Sequence, residues 1–201
     1  MKEIIATRDD KFAVPAAIGT TVVMALFLAL QGRVWWCKSG DFRIYVNEAW
    51  NSSHTSQHFF DPYSFTHVLH GVLFFWLAGI IFYRLNVMWR FVIAVGVEAA
   101  WEILENSNFI IEKYRENTAS LDYFGDSILN SVGDIVACSI GFWIAHTTVI
   151  LDDKWIAANI HYPNKDESFV IYSLLLQPRN GWLHDAVFYF LHKCRVGKYH
   201  R

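Results

Sequence analysis

Two histidines and five carboxylates interrupt the apolar stretches of this chain. His67 and His70 stand three apart in SFTHVLHGVLFF, and Glu98, Glu102 and Glu105 fall at i, i+4 and i+7 in VEAAWEILE. Asp126, Asn130 and Asp134 recur every four residues in DSILNSVGD. On helices each set would share one face. Imidazoles and carboxylates together suit Zn, Mn, Fe or Mg. Facing helices that project Glu and His inward are how helical bundles build two-metal sites. Such a centre activates water or clamps a phosphoryl group. Without a metal, the same carboxylates serve as general acid and base. The residues expected to act catalytically are Glu98, Glu102, Asp126 and Asp134. Those expected to hold a divalent metal include His67, His70, Glu102, Glu105 and Asp126. Lys113 and Arg115 in the adjoining polar loop, with Asn130, are expected to bind an anionic head group. The rival reading is a hydrogen-bonded His/Glu/Asp/Asn network that only fixes helix register. No HExxH, GxSxG, Walker or CxxCH motif is present.

The elements that must position these groups are membrane helices. Hydrophobic residues make up 54% of the 201 residues and charged residues only 18%, a balance that suits a multi-pass membrane protein. Apolar runs at about 12–30, 64–83, 88–105 and 126–150 are each near the length that a bilayer core requires. The first is read as a retained span, because no small-residue cleavage site follows it. The expected fold is all-α, a polytopic bundle of about four transmembrane helices over residues 1–151. Residues 152–201 are expected to form an interfacial, amphipathic C-terminal segment.

Four spans put both termini on one side. The second span then starts, the third ends and the fourth starts in the same leaflet, so the three polar sets meet there. The distribution of Lys and Arg weakly favours both termini inside, with the cluster toward the outer leaflet. Ionisable residues inside a bilayer mark a site by default. Gly71 and Gly133, with Ser127 and Ser131, would let helices approach closely.

Other features carry less. Cys37, Cys138 and Cys194 show no finger spacing, and Cys138 reads as a small buried hydrophobe. His54 and His58, four apart, would share a face and could chelate a metal if helical. The simpler reading is a surface loop with two exposed histidines. Asp61-Pro62 reads as a turn before the second span. A net charge of −2 gives no reason to expect nucleic acid as a partner.

The stretches SQHFFDPYSFTHVLHGVLFF and EAAWEILENSNFIIEKYRENTASLDYFGDSILNSVGD resemble uncharacterised protein family three-one-four, proteobacterial multi-pass membrane proteins of unassigned activity. The resemblance covers about residues 50–145. It implies an inner-membrane location and adds His58 and Asp122 to the site candidates, Asp122 as a metal ligand, and it supports Arg115. It also implies a further apolar segment with a Glu and then an Arg-Asp-Asn stretch, where this chain has LDDKWIAANIHYPNKDESF.

The functional expectation is metal-dependent hydrolysis or transfer on a lipid-like substrate. The alternative is a non-catalytic accessory subunit docked on partner subunits of a larger membrane complex, for example a respiratory one. The location expected is a bacterial or mitochondrial inner membrane, with membrane lipid as a partner. Whether the chain is an enzyme, and which metal it would hold, stay open.

Overall fold

The computed structural model describes residues 10–48, 52–118 and 123–159, with side chains as far as Leu151. Two compact units divide the chain, residues 1–148 and 149–201. The first holds everything discussed below. Of the second, only the last turns of a helix are described, so the expected amphipathic segment lies outside the described residues.

Among the described residues five α-helices form: α1 (Ala13–Leu30), α2 (Ser64–Ile81), α3 (Val87–Glu105), α4 (Asn108–Asn117) and α5 (Ile128–Asn159). A single 3₁₀ turn, Asp10–Phe12, precedes α1. The all-α expectation holds, since the only β pairing among the described residues is an isolated parallel bridge between Tyr45 and Phe60. α1, α2 and α5 are long and apolar enough to cross a membrane. α1 alone extends about 27 Å at 1.5 Å per residue, close to a hydrocarbon core. Its outer face is apolar: Ile18, Val22 and Leu26 are exposed, while Met24 and Leu28 are buried. That pattern suits a lipid solvent, in which outward apolar side chains cost nothing.

α3 was expected as a fourth span, and it has the length. Its composition sets it apart, because Arg90, Glu98, Glu102 and Glu105 make it too charged to qualify by apolarity. It compensates by position. α3 packs on both α1 and α2, and its Ala94, Val95, Glu98, Ala99 and Glu102 are all buried.

The helix starts are fixed by local chemistry. The Asn86 side chain accepts from Trp89 N (3.0 Å) to cap α3. At α2, Asp61 Oδ1 accepts from Tyr63 N (2.8 Å) and Ser64 N (3.2 Å), while Asp61 N donates to Ser64 Oγ (3.1 Å). This is a reciprocal cap, so the residue expected to mark a turn also anchors a helix. α5 starts on Ser127, whose Oγ accepts from Asn130 N (3.1 Å). Its next free N–H groups donate to the loop after α1, Ile128 N to Val34 O (2.8 Å) and Leu129 N to Trp35 O (3.3 Å).

The bundle has an apolar part and a polar part. Met24 and Leu28 from α1, Val95 and Ala99 from α3, and Ile128 and Ile135 from α5 form the apolar core. Phe142, fully buried on α5, packs its ring 5.3 Å from Phe75 and 5.4 Å from Phe91. α2 and α5 meet backbone to backbone. A Cβ at Gly71 would overlap the Cys138 carbonyl, and one at Gly141 would overlap the Val68 carbonyl. Gly133 stands in the same way against the Phe59 carbonyl. The close approach expected of Gly71 and Gly133 is therefore realised. It brings the first turns of α2 against those of α5, where the polar residues lie.

Candidate functional site

The reciprocal cap at Asp61 starts a polar network that runs through all three helices. Ser64 Oγ donates to Asp134 Oδ1 (3.1 Å). Asp134 Oδ2 lies 3.7 Å from His67 Nε2. The other ring nitrogen, His67 Nδ1, lies 2.5 Å from Glu98 Oε1 and 3.6 Å from Glu102 Oε1. His70 Nδ1 reaches both oxygens of Glu98 at 3.2 Å. The helical spacings produce this directly: i, i+3 on α2 and i, i+4 on α3 turn two side chains each toward the same space. Glu98 and Glu102 are fully buried, Asp134 and His67 nearly so.

Two overlapping triads could hold a metal ion: His67, His70 and Glu98, and His67, Glu102 and Asp134. Within each, the donor atoms lie within 4.8 Å of one another. Glu102 is the unusual member. Both of its carboxylate oxygens are buried and make no hydrogen bond of good geometry; the Ser131 hydroxyl of α5, also without such a bond, faces them. A carboxylate withdrawn from water without hydrogen bonds is expensive unless it takes up a proton or faces a cation.

Beside the cluster is a cavity of about 230 Å³. Its buried lining includes His67, Asp126, Asn130 and Asp134, and its exposed rim includes Tyr63, Trp101 and Tyr114. Glu105 and His70 also line it. Asp126 is held from three directions: Tyr123 Oη donates to Oδ1 (2.8 Å), Asn106 Nδ2 donates to Oδ2 (3.0 Å), and Asp126 N donates to Asn106 Oδ1 (2.7 Å). Burial and the neighbouring Asp126 charge raise the Tyr123 phenol far above its ordinary value, so it stays a donor. Gly125 makes this turn possible. Its φ of +91° suits glycine, and a Cβ there would crowd Arg33 and Ile111.

The sequence-predicted residues divide accordingly. His67, His70, Glu98, Glu102 and Asp134 come together, and Glu105, Asp126 and Asn130 line the same cavity. Lys113 is exposed and paired with Glu116 (2.9 Å). Arg115 stacks over the Phe124 ring, 5.0 Å from its centroid, and is not among the cavity-lining side chains. Asp122 lies outside the described residues. The surface-loop reading of His54 and His58 is corrected: they are not helical, and His58 is completely buried. Its Nδ1 lies 2.6 Å from the Arg43 carbonyl, and its own carbonyl accepts from Asn130 Nδ2 (2.7 Å).

Sequence reasoning left several site residues without a role. Asn106, Tyr123 and Ser64 hold the two aspartates, and Tyr63, Trp101 and Tyr114 form the rim. Ser64 stands three residues from Asp61, the spacing of a reciprocal cap, and this signal could have found it. The rim aromatics carry no spacing signal.

A family model described as a protein of unknown function, DUF2585, matches residues 28–160. The chain belongs to this family. The match is wider than the stretch that carried the resemblance, and it takes in the whole site. A UPF0314 protein of Brucella anthropi is 48% identical over 123 residues, 61% of this chain and 62% of its own length. One from Paracoccus denitrificans is 48% identical over 124 residues, 62% of this chain and 64% of its own. One from Rhizobium etli is 39% identical over 138 residues, 69% of this chain and 70% of its own. The chain thus spans less than two thirds of the length of the first two relatives. No solved structure matches it. Bacterial relatives and three apolar helices of spanning length mark it as a membrane protein.

Proposed function

We propose that the His67–Glu98–Glu102–Asp134 cluster binds a divalent metal and supports hydrolysis or group transfer on an amphipathic, lipid-like substrate in a bacterial inner membrane. The observation that carries this reading is Glu102, a fully buried carboxylate that makes no hydrogen bond of good geometry and lies beside His67 and Asp134. Mutual hydrogen bonding, the rival reading, satisfies Glu98 through His67 and His70 but leaves Glu102 unsatisfied. With His70 beside it, the cluster offers two imidazoles and three carboxylates, which suit Zn, Mn or Fe. A bound metal would supply a Lewis acid and an activated water.

The chain's own residues do the rest. Glu98 orients both imidazoles. Ser64 holds Asp134, and Asn106 with Tyr123 holds Asp126 against the cavity. The cavity's chemistry supports an amphipathic ligand: its depth offers carboxylates and an amide, while its rim offers the rings of Tyr63, Trp101 and Tyr114. Aromatic rings of this kind sit well at a membrane interface.

The test pairs metal content with turnover. Detergent-purified wild-type protein is compared with the His67→Gln and Glu102→Gln variants by elemental analysis. Each is then offered chromogenic amphipathic carboxyl and phosphate esters. The expected result is one metal equivalent fewer in both variants, with turnover in the wild type only. Equal metal in all three proteins, with no turnover in any, would sink the proposal.

A further inference from the structure

A second group of ligand atoms lies outside this cluster, in the loops that precede α2. Cys37, His54 and His58 present Sγ, Nδ1 and Nε2 within 4.8 Å of one another. Cys37 Sγ is 3.4 Å from His54 Nδ1, and His54 Nδ1 is 3.2 Å from His58 Nε2. Tetrahedral zinc, with bonds of about 2.0 Å to nitrogen and 2.3 Å to sulfur, places neighbouring ligand atoms about 3.3 to 3.5 Å apart. The loops therefore already hold two of the three pairs near the separations that zinc requires, and the third pair within 4.8 Å.

The surroundings fit the same ion. His58 Nδ1 lies 2.6 Å from the Arg43 carbonyl, so its N–H is committed there and the Nε2 lone pair faces Cys37 and His54. A ligating imidazole is commonly fixed by just this bond from its second nitrogen. Cys37 and His58 are buried, whereas His54 keeps 22% of its side chain exposed. The Ser39 hydroxyl is 2.9 Å from Cys37 Sγ and 3.4 Å from His54 Nδ1. Asp41 Oδ2 lies 3.8 Å from His54 Nδ1 and accepts from the Arg43 guanidinium, while Asp41 Oδ1 accepts from Arg43 N. A carboxylate beside the imidazoles favours a bound dication.

We propose that Cys37, His54 and His58 form a zinc site, with Ser39 and Asp41 beside its fourth position. The site clips the segment 52–60 to the segment 37–46, next to the Tyr45–Phe60 bridge. The clip bears on the cavity, because Ser52, Thr55 and Ser56 from the same short stretch line it. Zinc here is structural: it holds one wall of the cavity in place. The site is independent of the His67 cluster and stands whether or not that cluster binds metal.

Cobalt tests it, because a thiolate ligand gives Co²⁺ a near-ultraviolet charge-transfer band that nitrogen and oxygen ligands do not. Full-length protein in detergent is stripped of metal and titrated with Co²⁺ alone. The expected result is a thiolate-to-cobalt band that saturates at one equivalent, with the intense visible bands of tetrahedral cobalt, both displaced by Zn²⁺. Cys37→Ser removes the charge-transfer band, and Asp41→Asn weakens binding about tenfold. His67→Gln leaves the band unchanged, which separates this site from the one proposed above. Wild-type protein without a thiolate band overturns the proposal, whatever the variants do. A band that survives Cys37→Ser also overturns it, because the thiolate would then be Cys138 or Cys194.

Discussion

Helices carry every ligand of the His67 cluster, whereas loops carry every ligand of the Cys37 cluster. In the first, α2, α3 and α5 supply side chains at fixed turns, and glycine contacts between α2 and α5 set the spacing. In the second, Cys37, His54 and His58 reach one point beside a β-bridge, a backbone carbonyl and a buried histidine. Donors fixed by helix packing keep their geometry when empty. Donors on loops need something to hold the loops, and a metal ion does that in small or irregular regions. The comparison suggests one site organised by the fold and one that helps to organise it.

Substitution of the packing glycines should separate the two most strongly. Gly71→Ala drives a methyl group into the Cys138 carbonyl and should lower stability by about 3 kcal/mol, the upper end for overpacking. Thermal unfolding in detergent measures this, and cobalt binding at Cys37 should persist in whatever fraction stays folded. An unchanged melting temperature would show that α2 and α5 do not meet at Gly71.

A pair of isosteric changes probes the helical cluster next. Glu98→Gln leaves His67 and His70 without their carboxylate and should cost about 3 kcal/mol. Glu102→Gln in metal-free protein should be neutral or stabilising, because it removes a buried carboxylate that makes no hydrogen bond of good geometry. Equal losses in denaturant unfolding would mean that Glu102 is as well paired as Glu98.

Chelation is the corresponding probe of the loop cluster. Zinc at about a hundredfold excess over its dissociation constant should stabilise by about 2.7 kcal/mol. That increment should vanish on chelation in the wild type and be absent in Cys37→Ser.

The smallest effect is expected at Asp61, which joins the two regions. One of its oxygens caps α2, and the other accepts from Ser56 Oγ in the loop (3.3 Å). Burial raises its carboxyl above the ordinary 3.8. Its protonated form is therefore favoured on folding, and the stability it contributes is full below pH 3.8 and falls as pH rises through the folded value. Asp61→Asn keeps the cap and should flatten stability against pH in that window. A slope equal to the wild type's would assign the pH dependence elsewhere.

The same division explains what could be read in advance. Helical spacing and span order brought His67, His70, Glu98, Glu102 and Asp134 together without any structure, because a helix converts sequence intervals into directions. No such rule links Cys37 to His58, whose proximity depends on the pairing of Tyr45 with Phe60. Lys113 was expected as an anion ligand from charge alone, and Arg115 from charge and the family resemblance. In the structure Arg115 lies over the Phe124 ring and Lys113 pairs with Glu116, arrangements that charge does not foretell, since it does not fix the direction of a side chain on α4.

The polarity of α3 bears on how the chain enters its membrane. A charged residue at the middle of a span raises the free energy of insertion by about 2.5 to 3.5 kcal/mol, and α3 carries Arg90 and three glutamates. As a nascent segment it inserts poorly by itself. The short link 82–86 ties it to the apolar α2, against which it packs. Ser131 and Asp134 reach Glu102 and His67 only once α5 has been synthesised. The carboxylates of α3 thus depend on both neighbours for their enclosure, α2 through His67 and His70 and α5 through Asp134.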